Sequence, residues 1–234
     1  MAGRREGGKQ QAGAVVADTG GNAPVRRRRK EARPQELTAA ALALFVEKGF
    51  AATRLDEVAA RAGVSKGTLY LYFDNKEALF KAVINEGIVP AIDAAEALLA
   101  DYANDPVGLL RAFLLGWWER IGSTEFGGIP KLMMSEAGNF PEVASYYNDA
   151  VIERGLGLLR IAVQRGIDIG VFRPVDPDLI GTLLIAPLIH LTMWRHSFAA
   201  CCGKGIEPRA YVAAHIDLVL HGLKAQPGRA GDVR

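Results

Sequence analysis

Cysteine is nearly absent from this chain of 234 residues, and the two that occur, Cys201 and Cys202, are neighbours. Adjacent cysteines can close only a strained bridge, so the sequence holds no disulfide framework of the kind that stabilises small secreted proteins. The Gly- and Arg-rich N-terminus also lacks the apolar core of a secretory signal peptide. We therefore expect a protein of the reducing cytoplasm.

Long apolar runs are also scarce. The longest strongly apolar stretch, residues 179–194, falls short of the roughly 20 residues that a membrane-spanning helix needs. It is interrupted by five small, polar or helix-breaking residues: Gly181, Thr182, Pro187, His190 and Thr192. The sequence therefore predicts no membrane partner.

Catalytic signatures are missing as well. The chain has no GxSxG nucleophile turn, no HExxH pair and no phosphate-binding Gly loop, and its four histidines all follow residue 189. None of these histidines is paired with a carboxylate at a spacing typical of acid–base catalysis. The sequence favours neither an enzyme nor a bound cofactor.

A metal or redox sensor is the alternative that these residues leave open. Its candidate ligands are Cys201, Cys202, His190, His196 and His215. On one helix, His190 and His196 would point about 120° apart, and neither a CxxC nor an HxxxH spacing occurs. The pattern therefore predicts no metal site.

Charge is distributed unevenly. Residues 1–33 contain nine Lys or Arg and three acidic residues, a net charge of +6, so the rest of the chain carries −4 to give the total of +2. Residues 34–81 are balanced, with six basic and six acidic side chains. The basic tail can attract phosphates without sequence preference, or it can be a solvated linker; the composition fits both.

The periodicity of the remaining chain predicts an all-α fold of about nine helices. Beyond residue 75 the expected helices are 76–100, 106–121, 125–137, 141–168, 176–197 and 208–224. We divide the chain into a disordered basic tail (1–33), a helix-turn-helix domain (34–80), a helical regulatory and dimerisation domain (81–225) and a flexible tail (226–234).

Residues 34–80 read as three short helices and the start of a fourth. Helix 1 begins near Pro34 and turns one apolar stripe inward, formed by Leu37, Ala41, Leu44 and Phe45. The caps we assign are Gly49 after helix 1, Thr53 before helix 2, Ser65 before helix 3 and Asp74 or Asn75 before helix 4. Helices 2 and 3 form a helix-turn-helix, which places its second helix in the major groove of DNA.

Helix 3, expected to run to about Tyr72, directs Leu69 and Phe73 towards the core and Leu71 outwards. An outward leucine suits contact with a thymine methyl group. Gly67 allows close approach to a phosphate, and Thr68, Tyr70 and Tyr72 supply hydroxyl donors. Lys66 and Lys76 flank the helix as cations, and Arg54 at the start of helix 2 is a further candidate contact. The tyrosines can also serve to cover the edge of the core.

The segment AGVSKGTLYLYFDNKEALF, with the preceding ALALFVEKGFAATRLDEVAARAGVS, resembles the tetracycline-repressor (TetR) family of transcriptional regulators. The resemblance is specific over residues 34–80, and residues 132–147 resemble the regulatory domain of some members. It implies a homodimer that binds a palindromic operator in double-stranded DNA, usually as a repressor, and is released by a small molecule. It also implies DNA contacts by Thr53, Lys66, Gly67, Thr68, Tyr70, Leu71, Tyr72 and Lys76.

The predicted helices 176–197 and 208–224 suit a dimer interface. The first is apolar nearly all round, so its own domain can cover one side and a second chain the other. Two such helices from each subunit would form a four-helix interface with two-fold symmetry. The alternative is that helix 176–197 lies at the centre of a large monomeric core.

The same domain contains the residues from which we predict a pocket for a small, largely apolar effector. Tryptophan, tyrosine and methionine side chains suit such a ligand, although at helical spacing they also form ordinary cores. The predicted ligand-binding residues are Phe113, Trp117, Trp118, Met133, Met134, Tyr147 and His190. Glu136 and Asn139 are further polar groups that could orient a ligand or cap a helix.

Overall fold

The computed structural model describes residues 23–199, 201 and 206–225, with side chains from residue 34 onwards. This part of the chain contains eleven α-helices and no β-strand, apart from an isolated bridge between Phe172 and Lys224. The helices are α1 (Ala23–Lys48), α2 (Leu55–Arg61), α3 (Lys66–Tyr70), α4 (Lys76–Gly87), α5 (Val89–Asp101), α6 (Pro106–Trp117), α7 (Ile129–Glu136), α8 (Pro141–Tyr147), α9 (Glu153–Asp168), α10 (Pro177–Ser197) and α11 (Pro208–Leu223). The predicted all-α fold, with a helix-turn-helix region before a larger helical domain, is confirmed.

Several predicted helices are divided into consecutive pieces. A π-helical turn, Trp118–Gly122, extends α6, and another, Asn148–Ile152, joins α8 to α9. A 3₁₀ turn, Glu125–Gly128, precedes α7. The predicted helix 76–100 is broken at Ile88, where Pro90 lies in the first turn of α5. Because proline lacks an amide hydrogen, it is accommodated best at such a start.

The first helix begins earlier than predicted. Its backbone is helical from Ala23, not from Pro34, so α1 begins inside the predicted basic tail. The reason is composition: arginine, lysine, glutamate and alanine all favour helix, and they outweigh the proline inside it. The disorder predicted for residues 1–33 stays a prediction. The predicted tails at 1–22 and 226–234 lie outside the described residues, and the boundary predicted at residue 80 stays a prediction.

The core of residues 34–80 is centred on three phenylalanines. Phe45 and Phe50 lie 5.3 Å apart between ring centroids, and Phe80 of α4 packs against both at 5.8 and 5.7 Å. Edge-to-face rings at such distances add to the stabilisation from apolar burial. The predicted inner stripe of helix 1 is confirmed, since its four side chains are buried: Leu37, Ala41, Leu44 and Phe45.

In the larger domain, α10 packs along α9 and is tied to α11. The buried imidazole Nε2–H of His215 on α11 donates to the carbonyl oxygen of Leu184 at 2.8 Å. Leu184, Leu188 and Leu191 are buried, whereas Leu179 and Leu183 are more than half exposed. The helix thus has one covered side and one apolar side left open.

Among the described residues, α10 is also the one helix whose length and composition would allow it to cross a membrane. Core helices of soluble proteins pass the same test, so the observation is weak evidence for a membrane partner.

Candidate nucleic-acid interface

The helix-turn-helix is held together by small and apolar side chains between α2 and α3. Val58 and Ala59 of α2 are buried, and Leu69 of α3 is fully buried. The turn between the helices contains Gly63 at φ +68°, a left-handed conformation that glycine adopts without steric cost. The two helices therefore have a fixed relative orientation, which a surface that reads DNA requires.

Ser65 sets the start of α3, as predicted. Its hydroxyl accepts a hydrogen bond from the Thr68 amide at 3.1 Å and lies 2.8 Å from the Thr68 hydroxyl. The helix ends at Tyr70, so Leu71 forms its C-terminal cap and Tyr72 follows it. Our prediction that helix 3 reaches about Tyr72 is two residues too long.

Leu71 is the most exposed large apolar side chain of the described residues, at 82%. Phe73 and Leu69, on the opposite side, are 9% and 0% exposed, so the predicted inward and outward directions are confirmed. Tyr70 is 45% exposed and Tyr72 is half-buried. A leucine that is exposed to this extent is unfavourable in water and would be stabilised by a binding partner that buries it.

The other predicted contacts on α3 surround Leu71. The ammonium of Lys66 lies 5.9 Å from the centre of the Tyr70 ring, and both side chains are exposed. A Cβ at Gly67 would meet only the Ser65 hydroxyl, at 3.8 Å, so this stretch of backbone is open to an approaching ligand. We call Lys66, Gly67, Tyr70 and Leu71 the recognition face.

Arg54 lies at the N-terminal cap of α2 and is largely exposed. Its guanidinium donates two hydrogen bonds to the Asp56 carboxylate, at 3.1 and 3.0 Å. The same pair raises the pKa of Arg54 and lowers that of Asp56. The fork of Arg54 is therefore held in one orientation beside the recognition helix, where it remains accessible to a phosphate.

Two predicted contacts instead have hydrogen-bond partners in the backbone of this chain. Thr53 is 2% exposed, and its hydroxyl lies within hydrogen-bond distance of the carbonyl oxygens of Gly49 and Leu44, at 2.7 and 3.2 Å. It does not cap helix 2, since that position belongs to Arg54. Lys76 donates from Nζ to backbone carbonyl oxygens of residues 50, 51 and 53. Neither side chain is presented to solvent like those of the recognition face.

Residues 37–83 match the family model described as bacterial regulatory proteins of the tetR family. Residues 37–83 therefore form a DNA-binding segment of the TetR type. The chain is 29% identical over 162 residues to the HTH-type regulator YfiR of Bacillus subtilis, and the aligned region covers 65% of this chain and 74% of YfiR. It is 35% identical over 89 residues to RutR of Escherichia coli, and that aligned region covers 38% of this chain and 41% of RutR. The matched relatives are transcriptional regulators and not enzymes.

The fold agrees with that assignment. NalD of Pseudomonas aeruginosa, the secondary repressor of the MexAB-OprM multidrug efflux pump, superposes with a TM-score of 0.67 at 22% identity. The superposition covers 84% of this chain and 98% of NalD. Regulators of the TetR family bind DNA and small molecules, and the recognition face lies within the segment matched to the family model.

The residues predicted to bind an effector fall into two groups. Four are buried in the core of the larger domain, namely Phe113, Trp118, Met133 and Tyr147, and Trp117 is half-buried. Burial raises the pKa of the Tyr147 phenol. Met134 is 72% exposed and His190 is also exposed, so these two lie at the surface of the single chain.

An open groove of about 490 Å³ lies elsewhere, between α4 and α8. None of the seven predicted effector residues lines it. Its lining residues are Lys81, Pro141, Glu142, Ser145, Tyr146 and Asp149. Of the lining residues, Tyr146 donates from its hydroxyl to Asn85 Oδ1 at 2.5 Å, and Lys81 lies 5.2 Å from the Tyr146 ring centre. These contacts connect α8 to α4.

The alternative of a metal sensor finds no support in the described residues. Within them, no three His, Cys, Asp or Glu side chains are grouped so that they could hold an ion. His215 is engaged with Leu184 as described above, and burial lowers the pKa of His196, an effect to which Arg195 and Lys131 contribute. Cys202 lies outside the described residues.

Sequence reasoning missed the contacts around residues 49–53. The sequence suggests Glu136 only as a group that orients a ligand or caps a helix, and it gives no signal for Phe140. The structure brings both against the turn between α1 and α2. Local periodicity carries no signal for such a contact, because Ala51 and Glu136 are 85 residues apart.

Proposed function

We propose that this protein is a homodimeric, DNA-binding repressor that binds a palindromic operator through the recognition face. The observation that supports it most is the 82% exposure of Leu71 on a short, firmly capped helix. An apolar side chain there can contact a thymine methyl, while Lys66, Tyr70 and Arg54 reach neighbouring phosphates. We assign repression, and not activation, by analogy with NalD.

Binding to the DNA upstream of its own gene tests this proposal. We expect saturable binding at moderate salt that depends on an inverted repeat with half-sites about 34–36 Å apart. Leu71→Ala should keep a folded protein and reduce discrimination between operator and scrambled DNA by about 5- to 100-fold, the equivalent of a direct base contact. Equal affinity of the parent for operator and scrambled DNA would reject the proposal.

The dimer is proposed from the open side of α10 and α11. Leu179, Leu183, Ala186 and His190 recur at helical spacing and are all exposed, and Leu218 of α11 is 72% exposed. Each half-covered leucine that a second copy buries would contribute about 1–1.5 kcal/mol, roughly half the value for complete burial. Two-fold pairing would place two recognition faces on one operator.

Sedimentation equilibrium tests the dimer. Leu183→Glu should convert the protein to monomers and weaken operator binding by about 30-fold or more, as expected for a charge buried in an interface. Leu115→Glu is the matched control, because it changes an exposed leucine on α6. If both variants remain dimeric, α10 is not the interface.

We further propose that a small, largely apolar effector binds among the buried aromatic and Met side chains of the larger domain and releases the operator. The supporting feature is that α4 begins at Lys76 in the DNA-binding region and continues into that domain. To move the population from 99:1 to 1:99, the effector must favour the released form by about 5.5 kcal/mol. A thermal-shift screen of small aromatic compounds, followed by operator competition, tests this step: compounds that stabilise the protein should displace the DNA.

A further inference from the structure

The turn between α1 and α2, residues 49–53, is contacted directly by the larger domain. Its exposed backbone amide at Ala51 donates to Oε1 of Glu136, at the end of α7, with a distance of 3.1 Å. The same oxygen lies 3.0 Å from the position that a Cβ on Gly49 would occupy. Gly49 has φ +89°, so the turn presents bare backbone on this side and the carboxylate approaches it closely.

An aromatic contact lies beside this hydrogen bond. Phe140, which immediately precedes α8, meets Phe50 edge-to-face with ring centroids 4.7 Å apart. Phe50 is 1% exposed and belongs to the phenylalanine cluster of the DNA-binding domain. The segment 136–140 thus contacts the turn with a charge-assisted hydrogen bond at one end and a ring at the other.

Lys76, the first residue of α4, also binds the turn. Its Nζ donates to the carbonyl oxygens of Phe50, Ala51 and Thr53, at 2.6, 3.1 and 3.3 Å. The ammonium also lies 4.6 Å from the Phe50 ring centre and 5.7 Å from that of Phe140. A lysine ammonium has three hydrogens, and three carbonyl oxygens already accept them.

We propose that Lys76, Glu136 and Phe140 are positioning residues that fix the α1–α2 turn and so set the direction in which α2 and α3 present Leu71. The inference rests on the DNA-binding function proposed above. Because only Arg54 separates the turn from the start of α2 at Leu55, a displacement of residues 49–53 is passed to the helix-turn-helix. The larger domain is therefore connected to the recognition face at this junction as well as through α4.

This assignment changes the role of Lys76. The family resemblance implies that it contacts DNA. A lysine that neutralises a phosphate makes the negative slope of log affinity against log salt steeper by about 0.9. A lysine that only holds the turn contributes nothing to that slope, although its loss weakens binding at every salt concentration. The salt dependence of binding therefore separates the two roles.

The test uses the full-length protein with four variants and two measurements. Hydrogen exchange of the Ala51 amide reports the junction, and operator titrations across a salt series report the consequence. The variants are Glu136→Ala, Glu136→Gln, Lys76→Met and, as a matched control, Glu142→Ala, which removes an exposed acid from α8. Glu136→Gln loses the charge and keeps an oxygen that can accept from Ala51.

We expect Glu136→Ala to speed exchange at Ala51 and to weaken operator binding, each by about five- to tenfold, as for the loss of one intramolecular hydrogen bond. Glu136→Gln should recover most of both, and Glu142→Ala should match the parent. Lys76→Met should weaken binding by about tenfold with an unchanged salt slope.

Three outcomes would overturn the inference. If Glu136→Ala and Glu136→Gln behave alike, the hydrogen bond from Ala51 to residue 136 does not hold the turn. A slope reduced by about one unit in Lys76→Met would make Lys76 a phosphate contact. Variants that bind like the parent would show that the turn does not orient the helices. If the parent itself does not bind DNA, the proposed function fails, and exchange at Ala51 still reports whether Glu136 holds the turn.

Discussion

The recognition face and the α1–α2 turn lie in the same DNA-binding domain and treat their polar groups in opposite ways. On the recognition face, Lys66, Tyr70 and Leu71 are exposed and leave binding capacity for another molecule. In the turn, the Thr53 hydroxyl and the Lys76 ammonium are within hydrogen-bond distance of backbone carbonyls of the same chain. The side chains of the recognition face can bind another molecule, whereas those of the turn stabilise the local backbone conformation.

The comparison shows why a family motif is not a list of contacts. A motif fixes residue types, and a residue type can recur because it touches DNA or because it holds the residue that does. Burial and hydrogen-bond partners differ between the two kinds of residue: Thr53 is 2% exposed and Leu71 is 82% exposed.

The largest expected effect is a difference in stability between alanine substitutions at two leucines, Leu69 and Leu71, that lie two positions apart. Leu69 of α3 is fully buried, so Leu69→Ala should lower the free energy of unfolding by about 2–5 kcal/mol. Leu71→Ala should change it by less than about 0.5 kcal/mol, because Leu71 is exposed. Chemical denaturation followed by circular dichroism measures both. Similar losses in the two variants would mean that Leu71 packs against the protein and is not presented to DNA.

A smaller effect is expected at Thr53. Thr53→Val keeps the shape of the side chain and removes the buried hydroxyl, which should cost about 1–2 kcal/mol of stability. Operator affinity measured well below the melting temperature should fall with an unchanged salt slope, and Thr53→Ser should recover the stability by restoring the donor. A stable Thr53→Val protein that has lost operator binding would place this residue on the DNA instead.

Within the DNA-binding domain, much of the structure could be predicted from the sequence because the determinants are local. The apolar stripe from Leu37 to Phe45 follows the helical period, Ser65 caps α3 through the next turn of the same helix, and Gly49 and Gly63 mark left-handed turns. Each of these signals depends on residues fewer than ten positions apart. The outward direction of Leu71 follows from the same periodicity.

The contacts that could not be predicted are those between distant segments. The partner of Ala51 is 85 residues away, and the acceptors of Lys76, predicted as a cation that flanks helix 3, lie 23 to 26 positions earlier in the chain. The start of α1 differs from the prediction for another reason, because the helix-forming residues before Pro34 outweigh the proline as a signal for a helix start. Sequence periodicity identifies the faces of helices, but it does not identify which distant segment covers them.

The smallest expected effect concerns the ionisation of Lys76, and it tests whether this side chain is withdrawn from solvent. Burial lowers the pKa of the Lys76 ammonium below its ordinary value of 10.5, an effect that Glu77 and Glu136 oppose. At pH values between the folded pKa and 10.5, the unfolded chain binds more protons than the folded one. Stability from this group therefore rises with pH in that window, and the cost of burying the charge is complete only below the folded pKa.

Subtracting the unfolding free energy of Lys76→Met from that of the parent isolates this contribution, because the other titrating groups are shared. The difference should shift in favour of the parent as the pH rises towards 10.5, and the ¹³Cε resonance of Lys76 should titrate with a midpoint below that value. A difference that stays flat, together with a midpoint at the ordinary value, would mean that the ammonium remains hydrated. Lys76 would then belong with Lys66 as a cation available to phosphate, and the distinction between turn and recognition face would rest on Thr53 alone.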